Sequence, residues 1–251
     1  MSSTIEWTDE TWNPVTGCTR VSPGCDNCYM FALYPRLRAM AVPGYEAAPD
    51  QVRTLPERLS LPLTWNRPRR VFVNSMSDLF HQHVDYSFIT DVFAVMREAE
   101  RHVFQVLTKR PGRAVGWWEG HGKSVFGRWP DNVWIGTSVE NQKYAPRLTV
   151  LGRIPASIRF VSAEPLLDRL DLTHWIEDGT LNWIIAGGES GPSARPMDID
   201  WVRDLRDQAI NARIAFFFKQ LGGRRGKRSG EQALLDGITW TDMPEYQQGR
   251  G

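Results

Sequence analysis

Cysteine is scarce in this 251-residue chain: there are three, and none lies outside the eleven residues from Cys18 to Cys28. An odd, clustered set of thiols cannot pair off fully as disulfides, which excludes a disulfide-stapled fold. Net charge is nearly missing as well. Thirty Lys and Arg against 29 Asp and Glu leave +1, so there is no global field for nucleic acid or a membrane, and any such partner must meet a local patch. No apolar run approaches the ~18 residues of a membrane span. The opening residues Met1-Ser2-Ser3-Thr4-Ile5-Glu6-Trp7 hold neither the basic nor the apolar region of a signal peptide. A cytoplasmic protein with no membrane partner is therefore expected, in a reducing compartment where clustered thiols stay available as ligands. Fixed-period repeats and long biased linkers are also absent, so 1–251 is expected to be a single α/β domain, a length that such barrels reach. A content of 41% hydrophobic and 24% charged residues supplies a core and argues against disorder.

What is present is concentrated at residues 16–29, Thr16-Gly17-Cys18-Thr19-Arg20-Val21-Ser22-Pro23-Gly24-Cys25-Asp26-Asn27-Cys28-Tyr29. The spacing is C-x6-C-x2-C. Gly17 and Gly24 permit positive φ, and Pro23-Gly24 is a strong turn signal. Cys25 and Cys28, three apart at the start of an apolar run, share a face on one helical turn. Three readings compete. Structural zinc wants a fourth protein ligand, and the histidines (His81, His83, His102, His121, His174) all lie far downstream. An iron–sulfur cluster held by three thiolates leaves one iron open for an external ligand and suits soft sulfur. Unligated thiols are the bland alternative, and the cluster is the favoured one.

After the cysteines a helical run, Tyr29 to Tyr34, meets a break or kink at Pro35. Residues 41–68, proline-rich and of mixed polarity, read as an irregular surface excursion. From residue 70 onward short apolar runs end in polar residues: Val71–Val73, Val103–Leu107, Val133–Gly136, Ile158–Val161, Trp183–Ala186 and Ala215–Phe218. Helical spacing lies between them, from Phe88 to Arg101 and from Ile199 to Ala212. Strands alternating with helices imply a mainly parallel sheet covered on its faces. Six such strands, with one more before the cysteines, predict a partial or complete (β/α) barrel; an open doubly wound sheet is the runner-up. Most of the eleven tryptophans, Trp134, Trp183 and Trp201 among them, suit core packing, while Trp7 and Trp12 could wall the cysteine loop off from water.

In either architecture the strands' carboxyl ends gather on one edge, where ligands bind. Asn74, Ser75, Ser77, Asp78, Lys109, Ser138, Glu140, Glu164, Glu189, Ser190 and Lys219 all follow apolar strands. Each alone could be a helix cap; the repetition predicts convergence on a site. A basic run, Arg224, Arg225, Lys227 and Arg228, opens a C-terminal extension at 222–251 and is suited to phosphate contact or to a solvated loop. It carries a rival reading, a nucleic-acid-binding or repair protein whose metal, zinc or iron–sulfur, is structural.

The motifs Thr11-Trp12-Asn13-Pro14-Val15-Thr16-Gly17-Cys18, Cys28-Tyr29, Asn74-Ser75-Met76-Ser77-Asp78, Leu107-Thr108-Lys109-Arg110-Pro111, Gly136-Thr137-Ser138-Val139-Glu140-Asn141, Ser162-Ala163-Glu164-Pro165 and Gly187-Gly188-Glu189-Ser190-Gly191 resemble an uncharacterised family of phage and prophage proteins. More distantly the chain resembles radical S-adenosylmethionine enzymes, which use a partial barrel and three cysteines after the first strand. The departure is in the spacing: that superfamily mostly uses C-x3-C-x2-C with an aromatic residue before the third cysteine, where this chain has Asn27. The resemblance implies a 4Fe-4S cluster on Cys18, Cys25 and Cys28, S-adenosylmethionine as cofactor, an external electron donor, and an enzyme of the bacterial host's cytoplasm if phage-encoded. The cofactor contacts it implies are Ser77 and Asp78 for the amine, Ser138, Glu140, Glu164 and Glu189 for ribose or amine, and Gly187 and Gly188 for close backbone approach. The substrate is left open, nucleic acid included.

Overall fold

The computed structural model describes residues 5–223 and 233–245, so Arg224, Arg225, Lys227 and Arg228 lie outside the described residues. Chain order begins β1 (Glu10–Trp12), β2 (Val15–Thr16), α1 (Tyr29–Ala39), β3 (Arg53–Thr54), β4 (Arg70–Val73) and α2 (Tyr86–Glu98). It continues with β5 (Val103–Thr108), α3 (Pro111–Trp117), α4 (Lys123–Phe126), β6 (Val133–Ser138), α5 (Arg147–Leu151) and β7 (Arg159–Ala163). The last elements are α6 (Thr173–Glu177), β8 (Trp183–Gly187), α7 (Ile199–Ala212), β9 (Ala215–Gln220), β10 (Leu234–Leu235) and β11 (Ile238–Thr239).

Seven strands form one parallel sheet in the order β1-β4-β5-β6-β7-β8-β9. Each new strand adds beside its predecessor, so there is no reversal of strand order. That excludes the doubly wound runner-up, whose defining feature is such a switch point. The sheet is singly wound and its end strands do not pair among the described residues, which makes it a half-barrel.

The period-2 pattern assigns the two faces. Outward residues Val71, Val73, Phe104, Val106, Ile135 and Val161 join Phe88, Val92, Phe93 and Met96 of α2 and Val202 and Leu205 of α7 in the main core. Inward residues Phe72, Trp134, Phe160, Trp183, Ile185 and Phe217, with Trp7, form a second cluster that contains no helix residue and fills the concave side. Trp7 packs on Phe72 at 4.7 Å between ring centroids. The register then sets small residues above this apolar floor: Gly136 lies beside Phe160, and Ser138 beside Ser162. Gly136 has to be glycine, because a Cβ there would lie 2.4 Å from the Phe160 ring.

Two expectations are adjusted. Pro35 does not break its helix; α1 runs through it to Ala39, anchored by buried Met30 and Tyr34. The excursion at 41–68 is irregular but not only superficial, since Leu55 and Tyr45 are buried and β3 pairs antiparallel with β2. On the far edge, the Trp240 carbonyl accepts from Phe218 N–H at 2.8 Å and Asp242 N–H donates to Phe216 at 3.1 Å, so a C-terminal segment covers β9 and leaves no long unpaired strand edge there.

Candidate metal and cofactor site

The cysteine loop starts at the carboxyl end of β2, where Gly17 bridges Ser77 in parallel. Gly17 has φ +79°, and a Cβ there would sit 2.3 Å from the Gln51 carbonyl oxygen. Only glycine allows both the turn and the approach. The Cys18 N–H then donates to Pro49 at 2.9 Å. Pro23–Cys25 makes one 3-10 turn, and Cys28 N–H bonds the Cys25 carbonyl at 3.4 Å. The spacing predicts both sulfurs on one helical turn; instead Cys25 closes the 3-10 turn and Cys28 is the N-cap of α1, so the two lie on successive elements.

Burial pushes the Cys18 thiol up to about 11, with the Asp78 carboxylate adding to it and Arg110 opposing it. Cys28 is raised by the same burial, offset in part by Lys109. Cys25 raises both of its neighbours, so the three thiols share one electrostatic environment. Among the described residues no three His, Cys, Asp or Glu stand in a ready metal-ligand array. The donor set nevertheless separates the candidate metals. His81, which reaches the loop by a hydrogen bond, has Nε2 engaged with Thr19 Oγ1 at 2.8 Å and Nδ1 accepting the His83 N–H at 3.2 Å. Buried His102 is held on the Pro62 carbonyl, and His121 and His174 pack on Tyr86 and Trp175. With no histidine poised to complete a tetrahedral zinc set among the described residues, three soft sulfurs fit an iron–sulfur cluster with one open iron better.

The strand-end carboxylates do converge, and most of their oxygens are engaged by the protein. Asp78, after β4, is buried. Its Oδ1 accepts from Thr108 Oγ1 at 2.7 Å and Phe80 N–H at 3.0 Å. Its Oδ2 accepts from Arg110 Nη1 at 2.9 Å and Lys109 N–H at 3.1 Å. Those four bonds fill the lone-pair sites of a carboxylate. Arg110 continues to the Thr19 carbonyl at 3.0 Å and the Cys18 sulfur at 3.8 Å, so Asp78 acts on the loop through Arg110.

Glu140, after β6, is fully buried. It accepts from Ser22 Oγ and from Arg147 Nη1 at 3.0 Å, with Lys109 Nζ at 3.8 Å. Gly24 rests directly on it: a Cβ there would lie 2.4 Å from Glu140 Cγ. Glu189, after β8, grips the other flank. Its Oε2 accepts from Asn27 Nδ2 at 2.9 Å, and Arg195 forks onto both oxygens at 2.9 and 2.6 Å. Despite its burial the carboxyl stays below the usual glutamate range, because Arg195 and Asn27 hydrogen-bond the charged form. Arg195 Nη2 also reaches the Pro23 carbonyl at 2.7 Å.

Ser77 Oγ donates to the Val15 carbonyl at 2.8 Å. Gly188 meets backbone rather than open space: a Cβ would lie 2.2 Å from the Leu221 carbonyl oxygen. Gly187 has room, its nearest neighbour being Lys219 Cβ at 3.5 Å. Glu164 pairs with Lys219 Nζ and accepts from Gln220 at 3.2 Å. The residues still facing the concave mouth are thus Lys109, Ser138, Ser162, Glu164, Gly187 and Lys219. Sequence reading missed the arginines 110, 147 and 195, Ser22 and Asn27. Their one signal was position, beside a cysteine or within a few residues of a strand-end polar group.

A family model described as "Protein of unknown function (DUF5131)" matches residues 2–244. No curated protein matches the chain. Among solved structures, a cysteine-to-serine mutant of spore photoproduct lyase aligns with TM-score 0.44 at 11% identity, covering 81% of this chain and 62% of that one. Spore photoproduct lyase complexed with dinucleoside spore photoproduct aligns with TM-score 0.40 at 10% identity, covering 80% and 60%. The chain thus spans about three fifths of the length of these structures.

Proposed function

The chain belongs to the DUF5131 family, and for this member we propose an iron–sulfur enzyme of the radical S-adenosylmethionine type. One observation carries the reading: the carboxyl edge of the half-barrel is devoted to holding a three-thiol loop over a concave face of small polar residues. Asp78–Arg110, Glu140 and Glu189–Arg195 approach that loop from three strand ends. A loop that merely covered the barrel would not need three buried charged brackets, each of which costs several kcal/mol of desolvation to bury.

Cys18, Cys25 and Cys28 would hold a 4Fe-4S cluster. Together with S-adenosylmethionine, such a cluster would supply reductive carbon–sulfur bond cleavage and radical hydrogen abstraction. The protein's residues bind and orient. Ser138 and Ser162 sit side by side in register and offer hydroxyls, while the Lys219–Glu164 pair offers a cation for a carboxylate and an acceptor for an amine or ribose hydroxyl. Gly187 lies on the same face, within ordinary contact range of Lys219, Gln220 and Glu164. Asp78, Glu140 and Glu189 become positioning residues, because their oxygens are engaged by Arg110, by Ser22 and Arg147, and by Asn27 and Arg195 respectively. The floor of Trp134, Phe160 and Trp183 closes the barrel from below, so ligands enter from the mouth.

Anaerobically purified protein should be brown, with about four irons and four sulfides per chain, as that cluster type requires. Alanine at Cys18, Cys25 or Cys28 should abolish the colour. After reduction, added S-adenosylmethionine should yield methionine and 5′-deoxyadenosine. Stoichiometric zinc without acid-labile sulfide would reverse the assignment. A cluster that neither binds nor cleaves the cofactor would leave an iron–sulfur binding protein.

A second reading, nucleic-acid binding, is favoured by one placement. Gly223, the residue before the basic run in sequence, bridges Ser190 and donates to the Glu189 carbonyl at 2.9 Å. The two readings combine if the substrate is a nucleic acid.

A further inference from the structure

We propose that Arg110 sets the reduction potential at the cysteine loop, by donating a charged hydrogen bond to the Cys18 sulfur while Asp78 limits how much of that charge the sulfur feels. The proposal rests on the iron–sulfur reading above and deepens it. It concerns a positioning residue, which acts on the cluster through one of its ligands.

The guanidinium is spoken for almost completely. Its Nη1 donates to Asp78 Oδ2 at 2.9 Å and to Cys18 Sγ at 3.8 Å, which uses both hydrogens of that nitrogen. Nη2 donates to the Thr19 carbonyl and to Thr19 Oγ1, both at 3.0 Å. Only Asp78 among these partners lies outside the cysteine loop. The fork is also locked from behind: Thr108 Oγ1 donates to Asp78 Oδ1 at 2.7 Å and accepts the Arg110 N–H at 2.9 Å. The Arg110 and Asp78 side chains are 14% and 7% exposed, so solvent does not compete for these bonds. Ligand chemistry strengthens the case. As a thiol, Cys18 donates to the Thr19 carbonyl at 3.6 Å. A metal-bound sulfur is a thiolate and has no hydrogen to give; Arg110 then serves both the carbonyl and the sulfur.

The three sulfurs are not treated alike. Cys25 Sγ lies 3.8 Å from Ser22 Oγ, but that hydroxyl has one hydrogen and Glu140 takes it. Cys28 stands at the N-cap of α1, where the positive end of the helix dipole lies. Cys18 receives a cation directly. Taking up one electron from an external reductant adds a negative charge that the sulfurs share. A charged donor held on one of them therefore favours the reduced form and raises the potential, and it does so more strongly where water is excluded. Asp78 works in the opposite sense, because its carboxylate repels the added charge and draws on the same Nη1. The pair thus gives the site two opposed controls on one property. A pair kept for stability alone has no need of the sulfur, since a well-packed apolar pair serves as well.

The test uses full-length protein reconstituted anaerobically with iron and sulfide, titrated with dithionite and followed by electron paramagnetic resonance. Arg110→Lys keeps a cation for Asp78, but a point-charge ammonium cannot hold Asp78, Thr19 and Cys18 together. It should move the reduction equilibrium about tenfold towards the oxidised form, roughly 59 mV for one electron. Asp78→Asn keeps the shape and removes the opposing charge, so it should move the equilibrium the other way by about threefold or more. In wild-type protein labelled with ¹⁵N-arginine, the reduced cluster should show a nitrogen hyperfine coupling that Arg110→Lys lacks. If a single variant does not hold its cluster, Asp78→Asn/Arg110→Gln, which buries no unpaired charge, decides: it should titrate below wild type. The proposal alone is overturned if wild type carries the cluster and the variants share its potential, or if both single shifts have the same sign. It is overturned as well if every variant loses the cluster, since Arg110 would then be purely structural. Wild-type protein without iron and acid-labile sulfide overturns the iron–sulfur reading and this proposal with it.

Discussion

Gly24→Ala is the sharpest probe of how the cysteine loop is seated. The added Cβ would lie 2.4, 2.6 and 2.9 Å from Glu140 Cγ, Oε1 and Cδ, whereas carbon atoms settle at about 3.5–4.0 Å. On an open surface a glutamate would swing away. Glu140 cannot, because it is 0% exposed and held by Ser22 and Arg147. Overpacking of that kind costs about 1–3 kcal/mol, so a loss of about 2 kcal/mol lowers the melting temperature of a chain this size by roughly 4–8 °C. Glu140→Ala alone leaves Lys109 and Arg147 near a vacated counter-charge, a loss of about 3–5 kcal/mol. Since it also removes the carboxylate that the new methyl group would strike, the double variant should fall short of the summed losses by about 1–3 kcal/mol. Urea unfolding of apoprotein, followed by tryptophan fluorescence with unchanged m values, measures all four corners of the cycle. Additivity within about 0.5 kcal/mol, or a Gly24→Ala protein as stable as wild type, would refute the seating of the loop on Glu140.

Three further outcomes are expected. Burial and the Arg110 guanidinium hold His81 down to about 4 from 6.5, so it is neutral in the fold and its contribution is complete above pH 6.5. That contribution fades as pH falls from 6.5 towards 4, by up to about 3 kcal/mol; His81→Asn should flatten the pH dependence of the urea midpoint over that window, and an unchanged slope would contradict it. Gly188→Ala should destabilise by about 3 kcal/mol or more because the Cβ meets backbone, whereas Gly187→Ala should keep wild-type stability and lose S-adenosylmethionine affinity in equilibrium dialysis. Replacing Arg224, Arg225, Lys227 and Arg228 together should weaken nucleic-acid binding and flatten its salt dependence without altering iron content; wild-type protein with no salt-sensitive binding would remove nucleic acid from the partners.

Local pattern carried much of the architecture. Short apolar runs ending in polar residues located the six strands from Val71 to Phe218, the 3.6-residue period located α2 and α7, and C-x6-C-x2-C singled out the loop at 16–29. These are short-range properties: strand faces, helix faces and turn residues depend on neighbours a few positions apart. Even the arrival of Asp78, Glu140, Glu164 and Glu189 at one edge follows from strand–helix alternation, since parallel strands must all end on the same side.

What each carboxylate does there was a tertiary matter. Asp78, Glu140 and Glu189 were read as cofactor contacts because a strand-end acid looks the same whichever donor it meets. Only the fold brings Arg110 across from β5, Ser22 across 118 positions and Asn27 across 162 to engage their oxygens. Gly188 likewise looked like room for a ligand, but the Leu221 backbone lies against it, and Pro35 was a break or a kink by sequence, but Met30 and Tyr34 anchor the helix that runs through it. Curvature was decided at long range too. One parallel βα rhythm can wind in a single direction or reverse, and the choice depends on which strand each βα unit packs beside. In this chain every unit adds to the same edge, so the sheet curls into a half-barrel whose concave mouth receives the cysteine loop.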